Sequence, residues 1–310
     1  MKVLVTGCAG FIGSHLAEKL VKEHEVTGID CFTDYYPRNI KESNIRNLLK
    51  EKNFRFIDGD ILKLDLSRLL KGVDWVFHEA AQAGVRASWG ENFGIYVDNN
   101  ILATQKLLEA ARKAGVKRFI FASSSSVYGD SETLPMKETD KPRPVSPYGV
   151  SKLSGESLCY LYWKNYKLPT ISLRYFTVYG ERQRPDMAFH QFIKAMLKGE
   201  KISIFGDGKQ TRDFTYVSDI VDATILAARS NSSGEVFNIG GGSRISLMDA
   251  INTMEKATKK KATLEFIGEQ KGDVRHTHAD ISKAGDILGY RPRFSIEEGI
   301  KREADWIKTL

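Results

Sequence analysis

The first thirteen residues commit the chain to one kind of folding unit. Lys2–Thr6 (KVLVT) is a short β-rich run, Thr6-Gly-Cys-Ala-Gly-Phe-Ile-Gly13 follows, and a helical stretch then runs to about Lys22. Strand, glycine loop and helix in that order build the first βα unit of a parallel sheet and leave a helix N-terminus facing the loop. Unpaired N–H groups and the helix dipole favour an anion there. Gly7 permits the tight turn, Gly10 lets backbone amides approach a pyrophosphate, and Gly13 allows close helix–strand packing, with Phe11 and Ile12 between the last two. The glycines are spaced three and three rather than two and three, so a generic glycine turn is the competing reading. The next strand, Glu25–Asp30 (EVTGID), favours the first, because its terminal Asp30 lies seventeen residues beyond Gly13. A carboxylate there accepts from a ribose 2′-hydroxyl and repels a 2′-phosphate, which favours NAD over NADP; an ordinary strand-end aspartate is the alternative.

Strand and helix keep alternating. Residues 54–57 lead into Asp58-Gly-Asp60-Ile61, and Trp75–His78 leads into Glu79-Ala80-Ala81-Gln82. A helical pattern covers roughly 93–114, residues 118–123 form another strand, and Thr170–Tyr175 is a sixth. This alternation predicts an α/β fold, a doubly wound parallel sheet whose strand C-termini, and hence these loops, share one edge. Ala80 and Ala81 are small enough for a cofactor to lie over them, though simple close packing explains them as well. From Thr177 the character changes to a basic loop, Gly180-Glu-Arg-Gln-Arg-Pro-Asp-Met187, with a short helix over 189–197 and a strand over 202–205. A helix over 219–229 returns to the first part, and Glu235–Ile239 and further helices finish the chain. The expected division is 1–176 with about 213–237 as the cofactor-binding part. Residues 177–212 and 238–310 make a smaller, interleaved α/β substrate part, with a cleft between the two.

The 310 residues carry a net charge of +7, but the lysines are scattered. A solvated basic surface, or a cationic site for an anionic substrate, accounts for them better than nucleic acid does. No apolar run is long enough for a membrane span. The three cysteines (Cys8, Cys31, Cys159) have no zinc spacing and suit reduced thiols, so neither a metal nor a disulfide framework is expected and the cytoplasm is the expected compartment.

Tyr148-Gly-Val-Ser-Lys152 sets a phenol and an ammonium four residues apart, on one face of a predicted helix that runs to Tyr166 with Ser146 and Pro147 as cap and first turn. A lysine beside a phenol favours phenolate, so Tyr148 is expected to act as a base below its ordinary pKa of about 10. Tyr160 and Lys164 repeat the spacing, so the motif needs company. Ser124, Ser125 and Ser126, at the end of a strand, supply it with hydroxyls able to hold a substrate hydroxyl, or else merely to cap and turn the chain.

In this order, TGxxGFIG, the Asp30 strand end, the serine cluster and Tyr-x-x-x-Lys resemble an extended short-chain dehydrogenase/reductase. Over essentially its full length the chain is similar to the NAD-dependent nucleotide-sugar epimerases. Gly59-Asp60-Ile61, Asn100 before Ala103-Thr104, Arg174-Tyr-Phe176, Val178-Tyr-Gly180, Arg212-Asp213, Asn238-Ile-Gly240 and Gly272-Asp-Val-Arg275 extend the match. The resemblance implies a Rossmann-type domain with Tyr148 as base, Lys152 as its partner and ribose ligand, and Ser124 at the substrate hydroxyl. Gly7, Gly10, Phe11, Ile12, Gly13, Asp30, Asp60, Ile61, Ala80, Ala81, Asn100 and Tyr175 match cofactor contacts. Phe189, Ser203, Phe205, Arg212 and Arg275 match the uridine-diphosphate side.

The implied reaction is 4-epimerisation of a UDP-sugar through a transient 4-keto intermediate. Thr177, where neutral-sugar epimerases usually have Asn, and the segments Ala80-Ala-Gln-Ala-Gly-Val-Arg86 and Arg184-Pro-Asp-Met-Ala188 resemble the UDP-glucuronate 4-epimerases more. Arg184 with Ser125 and Ser126 then reads a C6 carboxylate; the competing reading is an ion pair of Arg184 with Asp186 or Glu181. A UDP-glucose/UDP-galactose epimerase is the alternative function, with a UDP-glucuronate decarboxylase or a non-catalytic nucleotide-binding protein behind it. The family is commonly dimeric through the helices near 93–114 and 148–166, so a homodimer is expected.

Overall fold

The computed structural model describes residues 1–131, 133–268 and 272–310. Its organising element is a strand apolar on both sides. In β1 (Lys2–Thr6) Val3 and Val5 point into one core while Leu4 points into the other, as the two-residue period of a strand requires. A strand covered on both faces belongs at the centre of a parallel sheet. On one side of it follow β2 (Glu25–Asp30) and β3 (Phe54–Asp58); on the other lie β4 (Trp75–His78), β5 (Arg118–Ser124), β6 (Thr170–Tyr175) and a later strand, β10 (Glu235–Ile239). The order β10-β6-β5-β4-β1-β2-β3 is parallel throughout. The chain winds outward from β1 to β3 and then jumps back across β1 to β4. Between β1 and β4 the order reverses, and a crevice must open beyond their C-terminal ends. Gly7 follows β1 and Glu79 follows β4.

The helix Pro147–Tyr166 starts where expected: the Ser146 hydroxyl accepts from the Gly149 N–H at 3.1 Å, and Pro147 occupies the first turn. It rests on the sheet at Gly155, where an added Cβ would lie 2.2 Å from the Phe121 ring. The run 93–114 is helical throughout, but Val97–Leu102 is wound as a π-helix. Such wide turns re-aim side chains at functional sites, and this one carries Asn100.

The remaining strands are β7 (Thr177–Tyr179), β8 (Lys201–Phe205), β9 (Thr211–Tyr216), β11 (Arg244–Ser246) and β12 (Thr263–Ile267). They form two small sheets, β11-β9-β7 and β12-β8. We propose the two-part division of the chain with its edges at strand boundaries: β9 pairs in the small sheet, so the return to the large layer comes at the helix Val217–Arg229, and β10 extends that layer to Ile239. Among the described residues, no helix is long and apolar enough to cross a membrane.

Because the Gly155 contact sets the height of the Pro147–Tyr166 helix over the sheet, Gly155→Ala should destabilise the protein by about 1–3 kcal/mol in urea unfolding through overpacking. A loss below about 0.5 kcal/mol would mean that helix and ring separate without strain.

Candidate active site

Beyond the β1–β4 crevice runs a groove walled by Gly7, Gly10, Phe11, Ile12, Gly13, Asp30, Asp60, Ile61, Ala80 and Ala81, and farther along by Tyr148, Lys152, Tyr175 and Arg184. Its glycines are required by close approach. Gly7 has φ +69°, and a Cβ on it would lie 2.7 Å from the Ala80 nitrogen; a Cβ on Gly13 would lie 2.1 Å from the Gly7 carbonyl oxygen. The helix Phe11–Leu20 begins at Gly10 with no side-chain cap and no acidic residue in its first turn, which leaves its N–H groups facing the groove for an anion. Asp30 is fixed by its backbone: Oδ2 accepts from the Ala9 N–H at 3.1 Å and Oδ1 from the Phe32 N–H at 2.9 Å. Asp60 accepts from the Leu62 N–H at 2.9 Å. Amides for phosphates, a carboxylate at the strand end and a bare glycine surface fit a dinucleotide. Ala80 and Ala81 both line the groove, and Ala80 also packs closely against Gly7, so for it the two readings coincide.

At the other end, Tyr148 sits edge-on to Tyr96, with ring centres 6.3 Å apart. Lys152 does not touch the phenol. Its Nζ donates to the Ala122 carbonyl at 2.8 Å, and lies 5.2 Å from the centre of the Phe121 ring and 5.9 Å from that of Tyr148. Here the structure corrects the sequence reading: burial raises the Tyr148 pKa, and the restraint on it comes from the Ser124 hydroxyl and the Arg184 charge rather than from Lys152. Burial also pulls the Lys152 ammonium down to about 8. The Ser124 hydroxyl accepts from the Ser126 N–H and donates to the Ser126 hydroxyl, both at 3.1 Å, so it also caps the turn. Tyr175 donates to Glu79 at 3.0 Å, and its oxygen lies 2.7 Å from the Thr224 hydroxyl.

A second recess is lined by Ser125, Ser126, Thr177, Arg212 and Asp273. Arg86 pairs with Asp273 at 2.6 Å and lies 4.1 Å above the Phe205 ring. Arg212 donates to the carbonyls of Thr211 and Arg275, and Arg275 pairs with Asp207 at 2.9 Å. Ser203 is exposed on β8, two residues from Phe205 and so on the same face. Three residues depart from their expected places. Phe189 is buried in the core, its ring 4.4 Å from Phe214 and 5.3 Å from Tyr179. Asn100 is buried behind the groove wall, clamping Gln82 through both backbone atoms and donating to Ser151 at 2.8 Å. Arg184 lies on the first groove and grips Asp186 with two 3.0 Å hydrogen bonds, the ion pair weighed as its competing role; Ser125 and Ser126 line the second recess instead.

Residues 3–240 match the NAD dependent epimerase/dehydratase family. The chain belongs to this family. Among curated relatives, a UDP-glucuronate 4-epimerase of Thermodesulfobacterium geofontis is 42% identical, covering 98% of this chain and 95% of that one. An uncharacterized UDP-glucose epimerase, YtcB, of Bacillus subtilis is 48% identical, covering 100% and 99%. Among solved structures, the UDP-glucuronic acid 4-epimerase of Bacillus cereus in complex with UDP-glucuronic acid and NAD superposes with a TM-score of 0.97 at 50% identity, covering 100% of this chain and 99% of that one.

In this epimerase/dehydratase-family protein, sequence reasoning missed Glu79, Tyr35 and Lys41, all on the groove wall. Tyr35 donates to Asp186 at 3.2 Å, which ties the loop after β2 to the Arg184 loop. Only Glu79 left a signal, an acid directly at the C-terminal end of a central strand. Since Ser124 restrains the phenol, Ser124→Ala should make Tyr148 titrate at higher pH than in the parent protein. The tyrosinate absorbance that disappears in Tyr148→Phe reads this; an unmoved or lowered midpoint would remove Ser124 from the phenol's environment.

Proposed function

We propose that the protein converts UDP-glucuronate to UDP-galacturonate by NAD-dependent 4-epimerisation. The observation that carries this reading is the single groove shared by the glycine cradle, Asp30, Tyr148 and Lys152, in a chain that aligns end to end with an enzyme crystallised with UDP-glucuronic acid and NAD. The cradle of Gly7, Gly10 and Gly13 would hold the pyrophosphate, and Asp30 the adenosine ribose, against a 2′-phosphate. Bound NAD would supply the chemistry of taking a hydride from C4 and returning it to the other face of the 4-keto sugar. Tyr148 Oη takes the O4 proton as C4 is oxidised and gives it back as C4 is reduced, so no proton or electron is lost over a turnover. Ser124 and Arg184, which restrain the phenol, favour the phenolate form that the first step needs. Lys152, anchored on Ala122, would donate to the cofactor's ribose.

Arg86, Arg212 and Arg275 would take the diphosphate, which guanidinium groups bind as a fork, with Ser203 and Phe205 beside the uridine. Ser125, Ser126 and Thr177, lining one recess, would hold the C6 carboxylate, with Arg184 supporting them from the groove side once part of its Asp186 pair is released. Holding that carboxylate away from the breaking geometry is what separates epimerisation from loss of carbon dioxide. We place a homodimer interface on the exposed apolar side chains Ile95 and Leu102 of one helical run and Val150 and Leu161 of its neighbour. Three free cysteines suit a cytoplasmic protein.

Incubation with UDP-glucuronate and no added oxidant should give UDP-galacturonate without a pentose product. UDP-glucose should be turned over far more slowly, and Tyr148→Phe should lower kcat by about 10²–10⁴-fold. Turnover of UDP-glucose alone would overturn the uronate reading in favour of a neutral-sugar epimerase.

A further inference from the structure

Among the acids on the groove wall, Glu79 has no role in the mechanism above and stands beside the proton-transfer pair rather than the glycine cradle. Glu79 leaves the C-terminal end of β4 and lines the groove with Lys152. Its Oε1 is held by the Tyr175 hydroxyl at 3.0 Å, and that hydroxyl is braced in turn by Thr224. The other charges of the groove wall have partners elsewhere. Arg184 is bidentate on Asp186, Asp30 is bound by two backbone amides with Lys41 acting on it, and Asp60 lies 3.7 Å from Lys63. Lys152 is 3% exposed; among the described residues its ammonium hydrogen-bonds the neutral Ala122 carbonyl, lies among aromatic rings and makes no direct ion pair, so a carboxylate acts on it only across the groove. A buried ammonium without an opposite charge gives up its proton. We propose that Glu79, aimed by Tyr175, is the counter-charge that keeps Lys152 protonated in the groove, and so acts as a positioning residue through Lys152. The inference rests on the reading above, in which Lys152 works as a charged donor.

The surrounding groups leave Glu79 this role. From β4, His78 faces the Thr6 and Thr104 hydroxyls, and burial drops it to about 3, so it is neutral. From the Pro147–Tyr166 helix, burial pushes up the phenol of Tyr148 and the thiol of Cys159, and the buried Glu156 carboxylate, one turn beyond Lys152, is taken by Arg174 and the Ser123 hydroxyl. From β5 and the helix Val217–Arg229 come, among the described residues, the hydroxyls of Ser123 and Thr224, and from β6 the Tyr175 phenol, which burial pushes up likewise. Burial pushes Glu79 itself up to about 7, against the Tyr175 hydrogen bond and the Lys152 charge. Of the influences that hold the Lys152 ammonium against burial, Glu79 is the strongest. Loss of the carboxylate therefore lowers the pH at which Lys152 deprotonates.

Glu79→Gln keeps the shape and an acceptor for Tyr175 while removing the charge. With carbon-13-labelled lysine, the Lys152 resonance, assigned by its loss in Lys152→Met, can be titrated by NMR in the purified protein without any turnover. The midpoint should fall by about one pH unit, roughly a tenfold weaker hold on the proton. The alkaline limb of the kcat profile should move with it. Tyr175→Phe should give a smaller shift of the same sign and carries the test if Glu79→Gln does not fold. An unmoved midpoint, or a lower kcat with an unmoved alkaline limb, overturns the proposal and leaves the function reading standing. A shifted midpoint in a protein that turns over no UDP-sugar supports the charge pairing and sinks the function reading instead.

Discussion

The structure depends on how closely the glycine loop approaches the end of β4. With a methyl group at Gly7 2.7 Å from the Ala80 nitrogen, or one at Gly13 2.1 Å from the Gly7 carbonyl, β1, its helix and β4 could not converge. That convergence makes the crevice at the topological switch point, and the crevice is where both walls of the groove begin. Close packing of this kind is not continuously adjustable, because interiors near crystal density have no slack to absorb an extra carbon. The cradle is therefore a property of the backbone, and the side chains that do chemistry are hung from it at fixed distances.

A buried polar chain connects the cradle to the helix bearing Tyr148. The Thr6 hydroxyl lies 2.8 Å from His78 Nδ1, His78 Nε2 lies 2.9 Å from the Thr104 hydroxyl, and Thr104 donates to the Asn100 carbonyl at 2.7 Å. Asn100 donates to Ser151 at 2.8 Å, and Ser151 donates to the Tyr148 carbonyl at 2.7 Å. Each link satisfies a group that would otherwise be buried without a partner, a penalty of about 1–3 kcal/mol apiece. Such a chain is stable only when complete, so it fixes the register between β1, β4, the π-helical turn and the Pro147–Tyr166 helix. The π-turn Val97–Leu102 is what points Asn100 inward at the right height.

This division explains what was legible in the residues. Periodicity and glycine placement are local, so the parallel sheet, the Asp30 strand end and the Ser146–Pro147 helix start could be read directly. Motif register put Phe189 and Asn100 near ligands, but register says nothing of depth. Phe189 went to the aromatic core and Asn100 behind the wall. The electrostatics were the least legible. A four-residue spacing places Lys152 near Tyr148, yet the ammonium turns to Ala122, and the restraint on the phenol comes from Ser124, on β5, and Arg184, in a loop far along the chain. Arg184 in turn is committed to Asp186 by an i to i+2 contact, the competing reading that the loop's own residues offered.

What unites these features is a site suited to taking a proton from O4 and a hydride from C4 of one sugar and returning the same hydride to the other face of C4. Lys152 is buried and Tyr148 half-buried, and both stand on the wall of the one groove. The most direct measurement uses UDP-glucuronate carrying deuterium at C4, converted in ordinary water and analysed in both sugars by NMR. The account predicts that the deuterium stays at C4 in substrate and product alike, with no solvent hydrogen entering C4 or C5. Washout of the label from C4, or solvent hydrogen at C5, would contradict it.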